Sequence, residues 1–318
     1  MLLSRVADAL YWISRYLERA EHTARLVDVA ADLRLGRPAT AGAGGVERLY
    51  ASLGLKVAEA TGPVDLLDAA LLDTKNRNSI ASCVLAAREN ARQVREEISS
   101  DMWEQMNALY LRVRHMWDDA SLAGRTHFVA RSIIEGVHLF GGITDATMSH
   151  GEGWQYLQAG RFLERAEGTA TLLDTFLGDG TDSGGMAAPL DQADLVALLR
   201  SCSALEGYCR HYTADVRQER VIEFVLLNAE FPRSIRFSAS RVEGALRALT
   251  RHSGQSGGGR AERLSGRLRA SLDYAQVDEI LNDGAREYLT GVSRQCVHLH
   301  SALVQSYIAY PIESALPA

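Results

Sequence analysis

Proline is scarce in this chain, at six among 318 residues, so long helices can run without interruption. Nowhere do apolar and polar side chains alternate in twos between hairpin turns, which argues against half-buried strands. Cysteine is rare too. Cys83, Cys202, Cys209 and Cys296 form no CxxC pair, so reduced thiols are expected rather than a disulfide framework. No run of about 18 apolar residues occurs, which excludes an ordinary membrane-spanning helix. The opening MLLSRVADALYWISRYLERAE turns amphipathic and charged early. It has neither the long apolar centre nor the cleavage site of a signal peptide, so cytoplasmic residence is expected. The net charge is −6 and the pI near 5.9; a general nucleic-acid binder would carry a basic excess. Missing P-loop, GxGxxG and zinc-finger spacings leave no cofactor to assign and argue against an autonomous nucleotide-dependent ligase.

What the chain does have is helical periodicity. Leu10, Ile13, Leu17, Ala20, Ala24, Val27 and Ala31 recur at three- and four-residue steps, as a core-facing helical stripe does. Small-residue loops at 36–45, 178–189 and 252–259 break the pattern. Between them the sequence predicts helices near 2–35, 46–60, 64–74, 78–99, 101–121, 126–149, 152–177, 190–205, 207–228, 233–252, 260–282 and 285–309. The expected fold is all-α.

It also has repetition. RYLERAEHTARLVD (15–28) returns as RFLERAEGTATLLD (161–174), with ten of fourteen positions identical. LLDTKNRNSI (71–80) resembles LLNAEFPRSI (226–235), and Val137-His138-Leu139 resembles Val297-His298-Leu299. The matches keep their order along the chain. They predict a duplicated six-helix unit, with halves at 1–150 and 151–318 packed as one domain around a pseudo-twofold axis.

On a helical wheel with Leu17 at zero, the repeated polar residues Asp28, Glu21, Glu18, Arg15, Arg19 and Thr23 spread from about 20° to about 240°. A helix with one wet face has no need to repeat that whole circumference. Contact on most sides supplies a reason. Arg15–Glu18 and Glu21–Arg25 have the spacing of ordinary intrahelical pairs, each contributing only about 0.2–0.5 kcal/mol. A purely structural network and a ligand- or partner-binding site both remain open.

At these residues the sequence resembles the alpha-E family, helical proteins named for a recurrent Glu-Arg motif. YWISRYLERAEHTARLVD and GWQYLQAGRFLERAEGTATLLD carry the two motif copies, and AARENARQVREEIS and DMWEQMNALY are also similar. The resemblance implies association with ATP-grasp-type amide ligases and with transglutaminase-like proteins. It therefore implies a role in making or processing an amide or peptide. Glu18, Arg19, Glu164 and Arg165 carry the motif; Gly168 stands where the first copy has His22.

The assignments that follow place Glu18 and Glu164 as catalytic groups and Arg15, Arg19, Arg161 and Arg165 as substrate-binding groups. Glu21, Glu167, His138 and His298 support them. Burial is expected to raise one glutamate's pKa and an arginine to hold the other ionised, a pair suited to acid-base help in acyl transfer. The arginines equally suit a substrate carboxylate. Three functions follow: a partner or acceptor-site module of an ATP-grasp-linked system, an independent acyl-transfer enzyme, or a homo-oligomeric dimerisation scaffold. No metal is assigned, because Glu135-Gly136-Val137-His138 fits an ExxH motif whereas Gln295 breaks its counterpart. His138 and His298 are expected in the core or at an interface. Ser79 and Ser234 are expected as helix caps, and the cysteines as core filler.

Overall fold

The computed structural model describes residues 2–36, 44–55, 69–117, 125–178, 190–253 and 259–308, and every regular element among them is helical. In chain order these are α1 (Ser4–Gly36), α2 (Gly44–Ser52), α3 (Ile80–Gln93), α4 (Ser100–Trp117), α5 (Thr126–Thr147) and α6 (Glu152–Leu177). They continue with α7 (Gln192–Ser201), α8 (Leu205–Tyr212), α9 (Gln218–Leu227), α10 (Ile235–Ser253), α11 (Arg260–Asp273), α12 (Val277–Asp283) and α13 (Ala285–Leu303). A π-helical turn, Val304–Ile308, follows.

The two helices that carry the ER repeats, α1 and α6, pack more extensively on each other than any other pair. α1 is also covered by α3 and α5, and α6 by α10 and α13, while α2 and α7 touch both. α4 lies on α3 and α5; α11 lies on α10 and α13. Burial around α1 follows from that placement. Leu10, Ile13, Leu17, Ala20, Ala24 and Val27 are buried as the stripe requires, and so are Tyr11, Arg15, Glu18, Glu21 and Thr23 on other sides. The wide spread of repeated polar positions thus reflects a helix enclosed on most of its circumference.

α1 and α6 approach closely at Gly160. A Cβ on this residue would collide with the Tyr11 carbonyl oxygen and the Ser14 hydroxyl. Ser14 Oγ donates to that same carbonyl at 3.0 Å. The side chain can move, but the backbone oxygen can move only with its helix. Gly160→Ala is expected to destabilise the protein by about 1–3 kcal/mol, the usual range for overpacking a tight core. Urea unfolding checks this; a loss within error of zero would mean that the helices separate freely.

Both repeated serines cap helices. Ser79 Oγ accepts from Ser82 N–H at 3.1 Å at the start of α3, and Ser234 Oγ accepts from Phe237 N–H at 3.0 Å at the start of α10. Cys83, Cys202 and Cys296 are buried free thiols, each pushed up to about 12 by burial.

Some expected helices come out differently. The span 207–228 divides into α8 and α9 because Thr213 takes φ +82°, a conformation no β-branched residue adopts inside a helix. The span 260–282 divides into α11 and α12, and Gly284 at φ +118° then turns the chain into α13. The helix expected at 46–60 ends at Ser52; of the one expected at 64–74, residues 64–68 lie outside the described residues, and the described remainder is helical only over 69–71.

Candidate functional site

The spacing within α1 suggested that Arg15 pairs with Glu18. The structure pairs them across helices instead. Arg15 Nε donates to Glu164 at 2.5 Å and its Nη2 to Glu167 at 2.6 Å. Arg19 reaches the same Glu164 through Nε at 2.6 Å and Nη2 at 3.1 Å. In the other direction, Arg165 on α6 makes a two-point fork to Glu18 on α1, at 2.5 and 2.8 Å. Arg161 approaches Glu18 only to 3.6 Å. Each ER helix therefore neutralises the glutamate of the other.

The segments preceding α3 and α10 complete the network. Asn78 Oδ1 accepts from Arg19 at 2.9 Å, and the Pro232 carbonyl accepts from Arg165 at 3.0 Å. Arg233 donates to Glu21 at 2.6 Å and stands 3.6 Å from Glu18. Glu21 also receives Arg25, the one intrahelical pair read from spacing that is present. Arg233 was missed by sequence reasoning, although it directly precedes the repeated Ser-Ile pair. Its counterpart in the first repeat is Asn78.

Burial makes these bonds consequential. The side chains of Arg15, Glu18 and Arg165 are 5%, 4% and 5% exposed. Burial alone would raise the Glu18 carboxyl, but the Arg165 guanidinium and its hydrogen bonds more than offset it, leaving Glu18 far below the usual carboxylate range. Glu164 is lowered in the same way: burial opposes, and Arg15 and Arg19 prevail. The expectation that one glutamate is raised is therefore corrected. Both stay ionised near neutral pH: Glu164 meets two guanidinium groups, and Glu18 is forked by Arg165 with Arg161 and Arg233 at 3.6 Å.

Counting the network, Arg15, Arg19, Arg25, Arg161, Arg165 and Arg233 face Glu18, Glu21, Glu164 and Glu167, six cations against four anions. The surplus lies on one side. Arg161 forms no hydrogen bond within 3.5 Å among the described residues, and its guanidinium is drawn below its ordinary pKa by burial and by Arg165. His138 stands beside it, 3.3 Å from Glu21. Burial first, then Arg233, Arg25 and Arg161, bring His138 down to about 4.

The histidines divide differently from expectation. His138 is exposed at the edge of the network rather than sealed in the core. His298 is exposed on α13 and joins none of the network's bonds, so the supporting role given to it has no contact behind it. His300, two residues on and a different face of the helix, takes that place: its Nδ1 lies 2.8 Å from Tyr11 Oη, which in turn accepts from Arg15 at 3.3 Å. His22 is brought to about 4 by burial and then by Arg233. Its ring lies over Gly168, where a Cβ would stand 3.4 Å away.

Among the described residues no three His, Cys, Asp or Glu side chains converge as metal ligands. No described helix is long and apolar enough to cross a membrane. The arrangement is built to hold charge in place, with accessible guanidinium at one edge.

A family model described as a predicted alpha-helical domain with a conserved ER motif matches residues 2–308, and the chain belongs to this Alpha-E family. An uncharacterized protein of Mycobacterium bovis is 27% identical, with 96% of this chain and 37% of the relative aligned. An uncharacterized protein of Mycobacterium tuberculosis strain H37Rv is 26% identical over the same shares. The chain thus spans well under half the length of these curated relatives. No solved structure matches it.

Proposed function

We propose that this chain is the helical component of a cytoplasmic ATP-grasp-linked system that forms amide or peptide bonds, as the ligase's partner subunit or as the module that completes its acceptor site. The observation that carries the reading is the state of the two motif glutamates. General acid-base work near neutral pH favours a group whose pKa lies near the operating pH. Glu18 and Glu164 are held well below that range by guanidinium groups. Their part is then to fix arginines in position, and bond-making is left to a partner. This weighs against the independent acyl-transfer reading. Family membership supports the ATP-grasp connection by association. The alignment to 37% of longer relatives suits a module.

In this reading the two halves, 1–150 and 151–318, are related six-helix units about a pseudo-twofold axis. The exchanged Arg–Glu pairs, the paired serine caps and the matching helix neighbours of α1 and α6 support it. A transglutaminase-like protein is a second partner of the same system.

Mixing the purified chain with an ATP-grasp-type ligase from the same genome is expected to give a complex and ATP-dependent amide formation that neither protein shows alone. A pair that neither associates nor turns over with any acceptor offered would remove this reading.

A further inference from the structure

A cleft opens beside the network between α1, α5 and α6. Arg161 and Glu18 line it together with Leu17, Val137, Phe140 and Leu157. It encloses about 40 Å³, room for roughly three water molecules at about 10–15 Å³ of probe-occupied volume each. We propose that this cleft binds a small organic carboxylate, held by the Arg161 guanidinium with its aliphatic part against the apolar wall.

Four observations lead there. Arg161 is 36% exposed and meets Glu18 only through a long ion pair at 3.6 Å, so among the described residues it keeps donors free for a ligand. Glu18 is already satisfied by the two-point fork from Arg165. It therefore does not need Arg161 as a hydrogen-bond donor. Gly141 adjoins the guanidinium, since a Cβ there would sit in contact with Arg161 Nη1 at 3.6 Å, so a larger side chain at this position would cover it. Finally, the six-to-four balance of the network favours one more anion.

The chemistry of the walls selects among anions. A planar guanidinium matches a carboxylate through two parallel N–H donors. The Glu18 carboxylate in the same cleft penalises a doubly charged phosphate more than a singly charged group. Four aliphatic or aromatic side chains reward an apolar substituent, which inorganic anions lack. Gln158, also in the lining, adds an amide that both donates and accepts.

This deepens the acceptor-site reading and rests on it only for the identity of the ligand as an acceptor. Its test needs no ligase, so the two fail separately. An NMR titration of the full chain near pH 7 in low chloride compares acetate, propionate, inorganic phosphate and sodium chloride. Saturable shifts are expected with both carboxylates, weaker with phosphate and absent with chloride. Arg161→Gln is expected to weaken carboxylate binding at least about tenfold, and Gly141→Leu to block it. Arg131→Gln, on the same helix but 81% exposed, leaves it unchanged. Thermal melting checks that Arg161→Gln stays folded: it loses a 3.6 Å ion pair to Glu18 but keeps the two-point fork from Arg165, so a small drop and a cooperative transition are expected. No saturation with either carboxylate, equal binding by Arg161→Gln, or tighter binding of phosphate overturns the proposal. Carboxylate binding without any ligase coupling would leave this site standing and remove the ATP-grasp reading.

Discussion

Arg165→Leu is expected to lower the free energy of unfolding by about 3–5 kcal/mol, the cost of leaving one charge of a buried pair without its partner. Glu18 is 4% exposed and takes two short hydrogen bonds from Arg165. Arg161 and Arg233, both at 3.6 Å, are too far to replace them. The leucine fills part of the volume but offers Glu18 no donor. Glu18→Gln combined with Arg165→Leu should recover part of the loss, since a neutral amide is cheaper to bury than an unpaired carboxylate. A double-mutant cycle by urea unfolding isolates the coupling. Arg92→Ala provides the contrast: its partner Glu89 is 46% exposed, and such surface pairs contribute about 0–1 kcal/mol. If Arg165→Leu cost no more than Arg92→Ala, the network would carry no more weight than ordinary surface pairing.

Acidification is expected to destabilise the protein in two stages. His22 has its pKa lowered from 6.5 to about 4 in the folded state. The unfolded chain therefore takes up a proton before the folded one does. The stabilisation is complete above about pH 6.5, falls as pH drops toward 4, and is spent below that. A shift of that size corresponds to roughly 3 kcal/mol. His138 and His300 are also brought to about 4, but both are roughly half open to solvent, so their shares are smaller. Below about pH 4.5 a second loss begins. Glu18 and Glu164 are lowered in the fold, and their stabilisation disappears as the pH falls toward their folded values. Urea unfolding from pH 7.5 down to about 2.5 reads both stages. His22→Asn should remove a large part of the first and leave the second. A flat profile from pH 7 to 5, or one unaltered in His22→Asn, would contradict the burial of a neutral imidazole.

These expectations rest on contacts that were only partly legible in the sequence. The helical class was, because three- and four-residue periodicity is a local property. So was the enclosure of α1, because Glu18, Glu21, Arg15 and Thr23 occupy different sides of one helix and recur in α6. The partners were not. Spacing pointed to Arg15–Glu18 on one helix, whereas Arg15 reaches Glu164 and Glu167 on the other. Which guanidinium meets which carboxylate depends on where the helices cross. That crossing is set by Gly160 against the Tyr11 carbonyl, a relation between residues 149 apart. Arg233 and His300 were missed for the same reason. Each belongs to a helix neighbour that becomes a neighbour only after folding. The choice between His298 and His300 turned on the face α13 presents, and periodicity alone did not place that face.

The overlap of His22 with Gly168 has a consequence for how the two ER segments are related. Ten of their fourteen positions agree, so they look interchangeable. They are not. A chain carrying the first segment twice would put a second imidazole into the space of about 210 Å³ that His22 and Gly168 line. A chain carrying the second segment twice would leave that space empty and would delete Arg25 from Glu21. Near-identity in letters thus conceals unlike surroundings: Arg25 closes on Glu21 in the first copy, and Thr171 stands at that place in the second.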